Sequence, residues 1–220
     1  MTAEVVERAA GIGGELVLRR DGAHYEIISN GVFLMDTRGG TSERLLVRAA
    51  ADGLAAPARM LIGGLGVGFS LAEALALPQI AHVTVVEREP AVIGWHRSLL
   101  RPWSRGALDD PRVTVKRADL LDVLADPAAG RYDALCLDVD NGPDWTVTPG
   151  NARLYGPAGL ALLASRLTPR GTLAVWSAGA APGFEARLRD AFARVETLPV
   201  EVPRGEPDMV YLARDPAPAA

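Results

Sequence analysis

Residues 58–68 read ARMLIGGLGVG, an apolar run that passes straight into glycines at 64, 66 and 68. FSLAEALALP follows with helical character and a stop at Pro78. Glycines in such a turn let the backbone fold sharply and approach another group closely. The helix behind them offers unpaired N–H groups at its first turn. A turn of this kind also occurs for purely structural reasons, so its meaning depends on what surrounds it. The surroundings alternate. HVTVVE (82–87), RVTVKRAD (112–119), YDALCLDVD (132–140) and GTLAVWSA (171–178) read as strands. PAVIGWHRSLL (90–100, opened by Pro90), LLDVLAD (120–126), GPAGLALLASRL (156–167) and GFEARLRDAFA (183–193) read as helices. Repeated strand–helix units with nearly all-apolar strands predict a parallel sheet covered on both faces.

The two ends depart from that rhythm. RVETLPVEVP (194–203) and DMVYLARD (208–215) are separated only by a turn, so an antiparallel pair is expected to close the sheet, ahead of a frayed DPAPAA tail. At the other end, GELVLRRDGAHYEIISNGVFLMDT (14–37) holds the hairpin signals Asp21-Gly22 and Asn30-Gly31. They predict a three-stranded meander over roughly 15–20, 23–29 and 32–36. TSERLLVRAAADGL (41–54) then reads as a helix with Thr41 or Ser42 as N-cap.

The 220 residues are 49% hydrophobic, enough for one sizeable core, and the net charge of −4 with scattered arginines argues against a nucleic-acid partner. The lone Cys136 lies in an apolar run and reads as a buried, inert thiol. No apolar stretch approaches the length of a membrane span, and the opening MTAEVVERAAGIGGE lacks the pattern of a signal peptide. A cytoplasmic protein without a membrane partner is expected.

Glu87 ends the strand about 20 residues after the glycines, where a carboxylate can accept both hydroxyls of a ribose. A dinucleotide-binding turn needs a third glycine at position 69, which is Phe69. S-adenosylmethionine fits the spacing and the antiparallel end of the sheet better. On LIGGLGVG, VVERE, RADLLDVL, YDALCLDVDNGPD and LTPRGTLAVWSA, the chain resembles the spermidine synthase-like branch of the class I S-adenosylmethionine-dependent methyltransferase superfamily. The resemblance runs over nearly the whole chain. It implies an α/β Rossmann-like fold: a mostly parallel seven-stranded sheet with an antiparallel terminal strand, plus a small N-terminal antiparallel meander. Residues 1–40 would be the meander covering the site, and 41–220 the cofactor-binding catalytic domain. It further implies Gly64, Gly66 and Gly68 under the methionine portion, Glu87 on the ribose, Asp119 near the adenine, and a homodimer.

The acidic turn LDVDNGPDW (137–145) leaves the fourth strand at the sheet's carboxyl end, where open α/β sheets bind ligands. A calcium loop would need a glycine where Pro143 stands, and His24, His82 and His96 are dispersed, so no metal is expected. Asp138 is placed to contact the charged part of the cofactor, with Asp140 and Asn141 facing an acceptor. In the aminopropyltransferases that the chain resembles, an amine-gripping aspartate occupies the position of Asn141. Asparagine can neither take a proton nor pair as an anion with an ammonium. The family's tyrosine-histidine-glutamate element is reduced to Glu43, with Ser42 in the place of the histidine. Tyr25, Phe33, Met35, Trp145 and Tyr155 are candidates for the acceptor wall, while Trp95, Trp103 and Trp176 read as packing.

These departures lead to an expected S-adenosyl-L-methionine-dependent methyl transfer onto a small-molecule acceptor, such as an indole or aromatic amine, with S-adenosyl-L-homocysteine as product. Glu43 or Asp140 would steady or deprotonate the acceptor. The alternatives are aminopropyl transfer from decarboxylated S-adenosylmethionine to a diamine, and a non-catalytic nucleoside-binding module.

Overall fold

Ala58–Gly63 is buried except at Arg59 and forms β5, an interior strand of the large sheet. The computed structural model describes residues 3–203 and 205–217. Before β5 come β1 (Glu4–Gly11), β2 (Gly14–Asp21), β3 (His24–Ser29), β4 (Val32–Asp36) and the helix α1 (Thr41–Ala51). After it follow α2 (Phe69–Ala76), β6 (Ile80–Val86), α3 (Pro90–Trp95), β7 (Val113–Lys116), α4 (Leu120–Ala125) and β8 (Tyr132–Leu137). The chain ends with α5 (Pro157–Ser165), β9 (Leu167–Ser177), α6 (Pro182–Ala191), β10 (Phe192–Val200) and β11 (Asp208–Pro216).

The large sheet has the order β10-β11-β9-β8-β5-β6-β7, and β11 runs antiparallel to both of its neighbours. The expected Rossmann-like seven-stranded sheet is therefore present, with the antiparallel strand one position in from the edge. Leu46, Val47, Leu71 and Trp95 pack on one face, and Leu124, Leu160, Leu163, Phe184 and Leu188 on the other. Burial on both faces explains why the strands carry no polar alternation.

The N-terminal sheet has four strands rather than three, in the order β1-β2-β3-β4. β1 is mostly exposed and rich in charge, so it lacks the one-sided apolar pattern that marks a half-buried strand. Inside this sheet Glu26 is buried and accepts from Arg19 at 2.6 Å and Arg38 at 2.8 Å. Other boundaries differ from expectation too: α1 ends at Ala51 rather than 54, and β9 begins at Leu167, four residues before the expected strand. The N-cap of α1 is Gly40, at φ 93°, with no side-chain cap from Thr41 or Ser42. α3 stops at Trp95 and the chain continues in turns that bury Leu100. Asp215 and Pro216 extend β11 instead of fraying, and residues 218–220 of the expected tail lie outside the described residues. No helix is long and apolar enough to cross a membrane among the described residues.

Candidate active site

A cavity of about 500 Å³ separates the two sheets. The glycine turn and the acidic turn line it from the large sheet, and Leu16, Ile27, Val32 and Met35 line it from the meander. This is the carboxyl end of β5, β6 and β8, where helix N-termini and strand ends leave backbone groups free for a ligand.

Gly64 and Gly66 lie in the left-handed region, at φ 89° and 48°. A Cβ on Gly64 would run into the carbonyl oxygen of Asp138, and one on Gly66 into the sulfur of Met35. The Val67 N–H donates to that sulfur at 3.2 Å. The missing side chains thus let the acidic turn and the meander close on the glycine turn. Gly68 caps α2 but faces His96 and Ser104 and is not among the residues lining the cavity.

Glu87 is buried and accepts from the Leu65 N–H at 2.9 Å and the Glu89 N–H at 2.8 Å. Burial raises its pKa, and these bonds pull it back. It fastens the glycine turn to the end of β6, and each carboxylate oxygen keeps one further lone pair for a ligand. Asp119 is the N-cap of α4, accepting from the Leu121 N–H at 2.9 Å, and also lines the cavity.

Carboxylates from three elements meet here. Glu43 comes from α1, Asp138 from the turn after β8, and Asp208 from the first position of β11. The Ser70 hydroxyl donates to Asp138 at 2.9 Å. Burial, and then the charge of Glu43, push the Asp138 carboxyl up to about 7. Burial raises Glu43 and Asp208 as well, and Asp208 adds to the effect on Glu43. The sequence reading did not include Asp208 or the 200–203 connection that also lines the cavity. One signal existed for Asp208. An antiparallel strand enters the sheet at the carboxyl edge of its parallel neighbours, and Met209 pairs with Ser177 at the end of β9.

Asp140, at φ 54°, accepts from the Asn151 amide at 2.8 Å and the Thr148 N–H at 3.3 Å. Asn141 is buried; its side-chain amide donates to the Phe33 carbonyl at 3.4 Å and its N–H to the Trp145 carbonyl at 3.3 Å. It ties the acidic turn to β4. An aspartate there could not make the first of these bonds.

Met35, Phe33 and Trp145 line the cavity, and Trp145 is 58% exposed at its mouth. Two expected wall residues lie elsewhere. Tyr155 is buried, donates to the Val139 carbonyl at 3.2 Å and packs its ring edge-on to Phe184, so it supports the acidic turn from the core. Tyr25 shares a face of β3 with Ile27 but sits farther along the strand, where Trp103 covers it at 5.4 Å between ring centroids. Trp176, read as packing, is half-buried and lines the cavity. No cluster of three His, Cys, Asp or Glu side chains could hold a metal ion among the described residues.

The parallel sheet with its inserted antiparallel strand, and a meander closing over the strand ends, define the class I S-adenosylmethionine-dependent transferase fold. The chain has its spermidine synthase-like form, and polyamine aminopropyltransferases are among its sequence relatives. A solved spermidine synthase in complex with the transition-state analogue AdoDATO matches with a TM-score of 0.79 at 16% identity, over 96% of this chain and 73% of that one. The polyamine aminopropyltransferase of Mycobacterium tuberculosis (strain ATCC 25618 / H37Rv) is 36% identical over 166 residues, 73% of this chain and 30% of that protein. A shorter match, 32% over 94 residues, is to putrescine N-methyltransferase 1 of Nicotiana tabacum, covering 43% of this chain and 25% of that one. The chain therefore spans only about 30% of the length of the mycobacterial relative. No protein-family model matches. The match over 166 residues and the fold match together overturn the expectation of methyl transfer to an indole or aromatic amine.

Proposed function

We propose that the chain transfers the aminopropyl group of decarboxylated S-adenosylmethionine to a small di- or polyamine. The observation that carries this reading is the charge of the cavity. Glu43, Asp138 and Asp208 line it together, and Arg88, 3.5 Å from Glu89, is the one cationic side chain among its described lining residues. Buried carboxylates are costly unless a cation joins them. A donor with a sulfonium and an ammonium, and an acceptor that enters as an ammonium, would supply such cations. The carboxylate of intact S-adenosylmethionine would meet a wall of carboxyl groups with only the Arg88 guanidinium to complement it among the described lining residues.

In this reading Glu87 holds the ribose, Asp119 lies by the adenine, and Asp138 faces the sulfonium and the aminopropyl ammonium. Residues 1–40 form the wall over the site and 41–220 the catalytic domain. The neutral acceptor amine attacks the methylene carbon next to sulfur. The C–S bond breaks with its electron pair on sulfur, and methylthioadenosine leaves. Alignment and water exclusion supply most of the acceleration. Asp140, fixed by Asn151 and Thr148, replaces the anion that the family resemblance puts at position 141.

With decarboxylated S-adenosylmethionine and putrescine, chromatography should detect methylthioadenosine and an aminopropylated amine. Formation of S-adenosylhomocysteine from S-adenosylmethionine and the same amine, with no methylthioadenosine, would overturn the proposal.

A further inference from the structure

Ser42 stands between two carboxyl groups. Its Oγ lies 2.7 Å from Asp208 Oδ2 and 3.0 Å from Glu43 Oε2. A serine hydroxyl has one hydrogen and can donate to only one of them. The other contact needs a hydrogen supplied by its carboxyl; without it, oxygen lone pairs would face each other in a buried gap. The three groups therefore hold one extra proton between them. Burial says where it sits: Glu43 is the more enclosed of the two, so its carboxyl carries the proton, and Ser42 accepts from it and donates to Asp208.

The surroundings agree with that order. Glu43 and Ser42 are buried, while Asp208 is half-buried, as suits the member that keeps the charge. Asp138 adds negative charge beside Glu43 from the β8 turn, and Arg44 supplies the positive charge that acts on Glu43 from its own helix. All three members of the unit line the cavity.

We propose that Asp208 is a catalytic proton acceptor for the attacking amine, with Ser42 and the protonated Glu43 fixing it in its ionised form. The proposal rests on the aminopropyl-transfer reading. The acceptor ammonium gives one N–H proton to Asp208, and the freed lone pair displaces methylthioadenosine from the aminopropyl carbon. The new secondary ammonium leaves, and Asp208 returns its proton to water.

Two measurements on the full chain test this. The first is turnover with decarboxylated S-adenosylmethionine and putrescine. Asp208→Asn should lower kcat about a hundredfold or more, the range for loss of a positioned base. Methylthioadenosine affinity, read by calorimetry, should stay within about twofold. Ser42→Ala should lower kcat less, and Ser42→Thr, which keeps the hydroxyl, should restore it. The second is infrared spectroscopy of the unliganded protein at neutral pH. A carboxylic-acid carbonyl stretch should persist in Asp138→Asn, weaken in Glu43→Gln and shift in Ser42→Ala. Full kcat in Asp208→Asn would overturn the catalytic role while leaving aminopropyl transfer standing. A band unchanged in Ser42→Ala and Glu43→Gln would overturn the shared proton. If the wild type forms no methylthioadenosine with any amine, the aminopropyl reading fails, and with it the catalytic role, while the infrared result still judges the proton-sharing unit.

Discussion

Asp138 shows how a single side chain links burial to behaviour. Its carboxyl keeps its proton up to about 7 in the folded chain but releases it near 4 when unfolded. Between those values the folded state binds more protons, so stability falls as pH rises through that window. Burial moves Glu43, Glu87 and Asp208 in the same direction. Thermal unfolding should therefore show a melting temperature that declines from pH 5 to pH 8, and the decline should be shallower in Asp138→Asn. Equal slopes in the two proteins would remove Asp138 as a source. Glu87 combines two tasks, since it holds the glycine turn and lines the cavity. Glu87→Ala should weaken methylthioadenosine binding by about 1–3 kcal/mol, the loss of charge-assisted hydrogen bonds. An unchanged calorimetric affinity would leave Glu87 with the structural task alone.

At the scale of elements, the glycine turn and β4 act as one unit. Gly66 and Met35 approach so closely that a methyl group on the glycine would meet the sulfur. Gly66→Ala should lose stability in two parts: about 1–2 kcal/mol for a side chain in the left-handed region, and a steric part that Met35→Ala removes. A double-mutant cycle by denaturant unfolding should show a favourable coupling of about 1 kcal/mol or more. Strict additivity would mean that the contact is absent in solution. The glycines themselves were legible, because a strand running into them and a helix behind them form a local pattern. Their partner was not. Met35 lies 31 positions away from Gly66 in the chain, and nothing in its neighbourhood marks it as a glycine contact. Tyr155 illustrates the opposite error. It was a candidate for the acceptor wall, but its packing against Phe184 shows that it points into the core.

For the molecule as a whole, the cavity lies where two sheets meet, so its ligand should brace one against the other. Methylthioadenosine at about a hundred times its Kd should add about 2.7 kcal/mol of stability. For a chain of this size that corresponds to a rise of about 5–10 °C in melting temperature. Hydrogen exchange should show added protection in β4 and the acidic turn together. Protection confined to the large sheet would mean that the meander takes no part in binding.

The sequence by itself determined the strand–helix order, the parallel sheet with its antiparallel closing pair, the glycine turn, Glu87 and the acidic turn. Each is written in contiguous residues, as a period of apolar side chains or as turn chemistry that acts over a few positions. The tertiary structure decided what the acidic turn faces. Asp208 reaches it from the last strand, Glu43 from the first helix, and Asn141 spends its amide on β4. Those meetings join residues far apart in the chain, and the shifts in proton affinity exist only because burial and neighbouring charge bring them together. That is why local pattern gave the fold, while the charge of the cavity had to be read from the assembled site.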